Sequence, residues 1–481
     1  MIQKMLRKLL LVTLVYGLAG GLFIANAAGL VDRLNAVVRK SRPRGASVGI
    51  AVYDLKARRQ VYDYNADTLL PLASNSKIFT TAAALSELGT DYEFKTRLVA
   101  SGVVEGVELR GDLIVRGGGD PNISGRFHDG DPLAVLRKGA KAVTAVGIHR
   151  ISGDLVADDT FFDRQWVAPG WPEDQLQRWY CAPVGALSLN DNCVDIFVRG
   201  AKTVGARPDA SLDPNVRGVN LINRCRTVGS RARAAVWFRR IGDSFDFQIS
   251  GKIRVGAARS YNVTVPNPSE FLLKALAHVL REEGVQVVGK ARLISDQEPE
   301  RPEKLLYTWK SRLADSIPVA NKRSQNFYAE QILKTLGAEK LGKGTFVDGV
   351  RAIAAFHRKI DLEPGRAYLY DGCGLSRKNR AQPSAVTHVL AWMARSSCAK
   401  TYRDSFSVSG VDGTLRHRLR DSVCKGRVAG KTGTINRVSA LSGYVSALDG
   451  GDYAFSILCS GRTGGARSFQ DALCRAIIDG K

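Results

Sequence analysis

Ser74-Asn75-Ser76-Lys77 places a hydroxyl and an amine three residues apart at the head of a helix-compatible run, LPLASNSKIFTTAAALSELG. Residues at that spacing share a helical face, so the lysine can approach the serine as a base. At a helix N-terminus, backbone N–H groups and the positive end of the dipole also favour a developing oxyanion. The pattern alone is weak, because Ser397-Cys398-Ala399-Lys400 and Ser422-Val423-Cys424-Lys425 match it too. Neither of those copies enters a comparable helix, so only the first predicts a nucleophile.

Two further triplets follow. Ser324-Gln325-Asn326 directly precedes the helical run NFYAEQILKTLGA, although Ser188-Leu189-Asn190 and Ser260-Tyr261-Asn262 have the same SxN form. Lys431-Thr432-Gly433-Thr434 occurs once and heads a strand-like run, where glycine is expected to let a substrate backbone approach closely. Other candidates fail on context. Gly45-Ala46-Ser47-Val48-Gly49 fits a nucleophile elbow, but the residues after it alternate as a strand rather than forming a helix. Gly337 to Lys343 lacks the hydroxyl of a P-loop at Gly344, and a helix rather than a strand precedes it. The six histidines have no adjacent serine and acid pattern.

SxxK, SxN and KTG in this order resemble the signature of the penicillin-binding and serine β-lactamase superfamily. Spacing narrows the likeness: 250 residues separate Ser74 from Ser324, and 107 separate Ser324 from Lys431. Groups that must converge on one site need no such excursion, so an insertion is expected between the first two motifs. The chain is therefore similar to the dacB-type penicillin-binding protein 4 family of D-alanyl-D-alanine carboxypeptidases. GDLIVRGGGDP, ISGDLVADDTFFD, CAPVGALSLNDN, YDGCGLSRKNR and SGVDGTLRHRL add to the likeness across nearly the whole chain. Two positions depart from it. Gln325 stands where such proteins commonly carry Asp, and Cys373 stands where they commonly carry Ser. Gln325 is expected to point away from the substrate.

The resemblance implies an α+β fold: a penicillin-binding-protein-like transpeptidase domain, an antiparallel sheet flanked by helices, interrupted by β-rich inserted domains. It also implies roles. Ser74 is the nucleophile, Lys77 the general base, Ser324 a proton relay and Lys431 its electrostatic partner. Asn326 binds the substrate amide, Thr432 and Thr434 with Lys431 hold the terminal carboxylate, and Gly433 completes the substrate-binding set. The N–H groups of Ser74 and Thr434 form the oxyanion hole, and no metal or organic cofactor is needed. The partners implied are peptidoglycan stem peptides ending in D-Ala-D-Ala and β-lactams as covalent inhibitors. Two rivals stand beside this reading. One is a β-lactamase or related serine esterase, which the long insertion disfavours. The other is an inactive wall-binding protein, which the complete set of motif side chains disfavours.

The elements must position these groups. Residues 29–40 have helix-period spacing, 47–66 read as a β-hairpin, and Ser-Asn-Ser is expected to cap the following helix. From 99 to 302 strand-like pieces separated by Gly, Asp and Pro turns dominate, with one clear helix behind Asn267-Pro268. Helix-period segments return from 303, followed by two strand-like runs and a last helix near 468–478. The expected organisation is a signal peptide at 1–27 and a catalytic part at 28–98. An inserted β-rich region follows at 99–302, with an inner unit near 185–262, and a second catalytic part closes the chain at 303–481.

Composition bounds the rest. The 481 residues are 44% apolar and carry 70 Lys and Arg against 46 Asp and Glu, a formal charge of +24. That excess points to a polyanionic neighbour. Lys4, Arg7 and Lys8, the apolar run Leu9 to Ile24 and Ala25-Asn26-Ala27 read as a secretory signal cleaved before Ala28. The alternative is a retained anchor, but the run is short and broken by glycines. Export to the periplasm or cell-wall space is expected, with no nucleic-acid partner and at most loose membrane association. Removing the segment leaves a charge of +21, and residues 201–260 alone hold twelve Lys or Arg against four Asp. The eight cysteines permit disulfides, Cys181–Cys193 foremost, or are small buried apolar residues.

Overall fold

The computed structural model describes residues 29–480 apart from 296, so the predicted signal segment lies outside the described residues. Among the described residues no helix is long and apolar enough to cross a membrane. A six-stranded antiparallel sheet forms the centre, in the order Ser407–Val408, Val428–Ile435, Val438–Ser446, Asp452–Gly461, Ala46–Asp54 and Arg59–Tyr64. The chain thus contributes its first hairpin and its last strands to one sheet. Val438–Ser446 is buried at eight consecutive positions, as a strand covered on both faces must be.

One face is covered by the helix at 29–41, through Leu30, Leu34 and Val38, and by the closing helix Ala466–Ile478, through Phe469, Leu473 and Ile477. The other face carries the helices Ser76–Leu88, Asn326–Leu341 and Pro383–Met393 and the larger core around Phe79, Phe327 and Val389. The expected hairpin forms with residues 55–58 as its turn, where Arg58 has φ +55°.

The insertion begins and ends on one antiparallel pair, Glu93–Glu105 with Glu303–Arg312, registered from Glu93↔Arg312 to Glu303↔Ser101. These strands belong to a seven-stranded sheet of its own. Within it, Cys193–Thr264 builds two three-stranded sheets over a second core that includes Val194, Phe247, Ile249 and Phe271. The anticipated helix is Pro268–Glu282, and Asn267 caps it by accepting from the Glu270 N–H at 3.1 Å. A second helix, Ala134–Ala145, also lies in this region and buries Val135, Leu136, Gly139, Ala140 and Val143 on one face.

All eight cysteines are free and buried, so the expected Cys181–Cys193 bridge does not form. Cys181 packs into the main core from a 3-10 turn, and Cys193 starts a strand of the insertion. Both serve as small apolar residues.

Candidate active site

Ser74 lies in a single 3-10 turn, Ala73–Asn75, that runs into the helix Ser76–Leu88. The expected serine cap is absent: neither the turn nor the helix has a side-chain cap bond. The polar side chains point elsewhere. Asn75 Nδ2 donates to Ser442 Oγ on the central sheet at 2.7 Å, and Ser76 Oγ accepts from Asn379 Nδ2 at 3.0 Å. The turn is thus tied to the sheet and to the loop 371–379 rather than to its own helix. Ala73 is held at φ +44°, a strain of about 1–2 kcal/mol that only surrounding packing sustains.

Lys77 is fully buried one turn on, its Nζ 3.1 Å from Ser74 Oγ, 2.7 Å from Asn326 Oδ1 and 2.8 Å from the Cys373 carbonyl. A neutral amine has two N–H groups and one lone pair. With Asn326 Oδ1 and the Cys373 carbonyl as acceptors for both hydrogens, the lone pair of the neutral form would face the serine hydroxyl. Burial lowers the Lys77 pKa, while Cys373, Glu330 and Asp371 oppose that shift.

Ser324 sits between the helices Leu313–Lys322 and Asn326–Leu341 at φ +58°, and its Oγ accepts from Lys431 Nζ at 2.8 Å. Lys431 is also fully buried, and its pKa is driven well down by burial and then by the charge of Lys77. Two buried amines around one cleft disfavour a second positive charge. Asn326 Nδ2 donates to the Tyr180 carbonyl at 2.8 Å, so the amide keeps one N–H and one lone pair for a ligand. Gln325 points away from the cleft: its Nε2 donates to Asp191 Oδ2 at 2.7 Å, and its Oε1 accepts the Asn326 N–H at 3.1 Å.

Lys431, Thr432, Gly433 and Thr434 lie on the strand Val428–Ile435. On its outer side Ser407–Val408 pairs only with Gly430 and Ala429. From Lys431 onward that edge has no strand neighbour among the described residues. Thr434 lines the cleft, whereas Thr432 Oγ1 is engaged with Thr414 Oγ1 at 2.8 Å. A Cβ at Gly433 would meet the Leu72 carbonyl at 2.8 Å and Ala73 Cβ at 3.2 Å, so the turn that carries Ser74 packs closely on the strand backbone there.

The cleft holds about 520 Å³ and brings Ser74, Ser324, Asn326 and Thr434 to one space. Gln175, Trp179 and Tyr180 form a wall contributed by the insertion, and Gly374 and Arg377 come from the loop after Asp371. Lys77 and Lys431 lie beneath this lining. The other SxxK copies stay outside: Lys400 is on the surface with Asp404, and Lys425 is exposed.

Sequence reasoning missed the group behind Lys77. Asp371, fully buried, accepts from the Gly374 and Ser376 N–H groups at 2.7 and 2.6 Å, from Trp171 Nε1 at 3.0 Å and from Asn379 Nδ2 at 2.5 Å. Glu330, also buried, accepts the Gly372 and Cys373 N–H groups at 3.0 and 2.7 Å and so aims the Cys373 carbonyl at Lys77. Burial, then the charge of Asp371, pushes the Glu330 carboxyl up to about 8. The available signal was an acid on the helix Asn326–Leu341, one turn past Asn326 and buried on every side. Glu330, Asp371 and Cys373 hold ligand atoms within 4.8 Å of one another. Both carboxylates spend their oxygens on backbone amides, so the trio supports Lys77 rather than forming a vacant ligand set.

Comparison with known proteins shows the family and the fold. The D-Ala-D-Ala carboxypeptidase 3 (S13) family matches residues 30–475. A D-alanyl-D-alanine carboxypeptidase of Actinomadura sp. (strain R39) is 31% identical over 472 residues, covering 94% of this chain and 85% of that protein. The D-alanyl-D-alanine carboxypeptidase DacB of Haemophilus influenzae is 26% identical over 434 residues, covering 88% and 87%. The fold matches the crystal structure of penicillin binding protein 4 (dacB) from Haemophilus influenzae at TM-score 0.80 and 24% identity, over 92% of this chain and 98% of that one. That relative has also been solved with a β-lactam, matching here at TM-score 0.75 and 22% identity over 92% and 99%. With a match from residue 30 to residue 475 and a 31% identical carboxypeptidase along nearly its full length, the chain belongs to the D-Ala-D-Ala carboxypeptidase 3 (S13) family.

Proposed function

We propose that this chain is an exported D,D-peptidase that removes the terminal D-alanine of peptidoglycan stem peptides through an acyl-enzyme on Ser74. The observation that carries the reading is the Lys77 amine, stripped of water, 3.1 Å from Ser74 Oγ with two acceptors holding its hydrogens. Ser74 Oγ attacks the carbonyl carbon of the D-Ala-D-Ala bond, and its proton passes to Lys77. The oxyanion gathers against backbone N–H groups at Ser74 and Thr434, each donor worth about 3 kcal/mol. As the C–N bond breaks, the leaving amine takes a proton through Ser324 Oγ. Lys431, 2.8 Å from that oxygen, sets the polarity of the relay. Water then attacks the ester, returns a proton to Ser74 and releases the acid. No step calls on a metal or an organic cofactor.

The strand edge beyond Gly430 offers main-chain partners to an extended peptide, and Thr432 and Thr434 with Lys431 suit its terminal carboxylate. The crosslink between a D-alanine and a diamino acid is also a D,D-peptide bond, so endopeptidase action at the same serine is part of the proposal. A β-lactam presents a strained amide in the same place and should acylate Ser74. The dacB relative solved with a β-lactam supports that expectation.

The test is mass spectrometry of the protein after incubation with a penicillin, paired with an assay of D-alanine release from a pentapeptide. The expected result is one adduct, on the peptide containing Ser74, and its loss in Ser74→Ala. An adduct at Ser397 or Ser422, or rapid turnover of the penicillin without a lasting adduct, would overturn the assignment.

A further inference from the structure

The inserted sheet Asn220–Val228, Asp246–Arg254, Val236–Arg240 turns one side into the second core, through Phe247, Ile249 and Ile253. Its other side is open. Trp237 is 64% exposed there, with its indole turned to solvent among cationic side chains. The register puts Trp237 beside Ser250 and Ser250 beside Arg224, and places Arg226 against Lys252 in the adjoining row. Two strand spacings, about 10 Å, therefore separate the indole from the Arg224 strand, over a floor of Ser250 and Gly251. Gly251 keeps that floor low: a Cβ would come within 2.7 Å of the Trp237 ring. Arg224, Arg226, Arg239 and Lys252 are all exposed around the saddle. A depression of about 300 Å³ beside it is lined by Lys252, Arg254 and Arg259.

The surface is wired to the catalytic cleft. Gln177 accepts the Arg240 N–H at 2.8 Å and donates to the Arg240 carbonyl at 3.4 Å, and the Arg178 guanidinium sits 4.8 Å over the Phe238 ring. Gln175, Trp179 and Tyr180, on the same short segment as Gln177, are the cleft wall. Trp237 lies three residues, about 10 Å, up the strand from that clip.

We infer that this face is a second binding surface, which holds a peptidoglycan glycan strand while its stem peptides reach the Ser74 cleft. The inference rests on the substrate class proposed above and extends it from the scissile peptide to the polymer that carries it. The C–H face of a pyranose packs on an exposed indole. The carboxylates hanging from the strand meet the flanking guanidinium and ammonium groups. Charge complementarity selects this occupant, because residues 201–260 hold twelve cations against four Asp and no Glu. A soluble short peptide has no ring to stack and reaches the cleft without this face.

The test is cosedimentation of the whole protein with purified insoluble peptidoglycan, beside kcat/KM on a soluble tripeptide ending in D-Ala-D-Ala. Wild type should pellet with the polymer at low salt and be released as salt screens the cations. Trp237→Ala and the double variant Arg224→Glu/Arg226→Glu should each lose about fivefold or more in affinity for the polymer. Their D-alanine release from the polymer should fall through KM, while kcat/KM on the tripeptide stays within about twofold of wild type, a range that also certifies folding. Peptidoglycan with amidated carboxylates should bind wild type as weakly as the charge-reversed variant binds the native polymer. Variants that pellet and cleave like wild type overturn the inference. So does retention that a penicillin at Ser74 abolishes, or binding to phosphatidylglycerol vesicles in place of peptidoglycan. If wild type fails to cleave the tripeptide, the catalytic reading fails, while pelleting still judges this surface separately.

Discussion

Gly374 gives a sharp test of how Ser74 is held. It has φ +89°, and a Cβ built on it would lie 1.8 Å from the Ala73 carbonyl oxygen and 3.0 Å from the Ser74 nitrogen. Carbon and oxygen rest at about 3.3 Å, so Gly374→Ala must separate the two backbones by roughly 1.5 Å. Ser74 rides on the displaced turn, and a misplacement of about 1 Å at a reacting atom costs about 100-fold. The backbone conformation adds about 1–2 kcal/mol of strain for any residue with a Cβ. Acylation by a fluorescent penicillin, followed by stopped-flow on protein shown to be folded by circular dichroism, should slow at least 100-fold. Gly450→Ala is the matched control: its φ is +82°, and an added Cβ meets nothing within 4 Å. It should lose a similar increment of stability and acylate normally. A Gly374→Ala protein that acylates within threefold of wild type would refute the claim that this contact positions Ser74.

Other outcomes follow from the same contacts. Gly433→Ala meets the Leu72 carbonyl at 2.8 Å, a shallower overlap, so its acylation rate should fall by about tenfold, clearly less than for Gly374→Ala. Glu330 carries a folded pKa of about 8 against an ordinary value of 4.5. An acid raised on folding contributes stability that is full below its unfolded value and is lost as pH rises through the folded one. That loss is on the order of 5 kcal/mol for this group, so unfolding free energies from pH 4 to 9 should fall less steeply in Glu330→Gln than in wild type. Titration with a thiol reagent should find no fast-reacting cysteine in the native protein and eight after denaturation; six would restore one disulfide.

The chemistry was legible because it is carried by short local patterns. Ser74 and Lys77 meet through helical spacing alone, and the register of one strand keeps Lys431 to Thr434 together. The hairpin, the asparagine-capped helix and the exchange of helical for β-rich texture were equally local, set by period and turn residues. The convergence was not. Lys77 Nζ touches Asn326, 249 residues away, and Cys373, 296 residues away, and no pattern in the chain encodes those distances. The same holds for Glu330, whose partners are the backbone amides of Gly372 and Cys373, and for Asp371, which adds Trp171 from 200 residues away. Gly433 is a related case: the sequence specifies a residue without a Cβ, but only the folded chain shows that the turn at Leu72 and Ala73 packs against it. The Cys181–Cys193 bridge failed because sequence proximity says nothing of which way two side chains face. By itself the sequence determined the three motifs, their order and the long stretch of chain between the first two. Tertiary packing lowered the pKa of two lysines by burying them around one cleft, and decided which backbone packs against the serine turn.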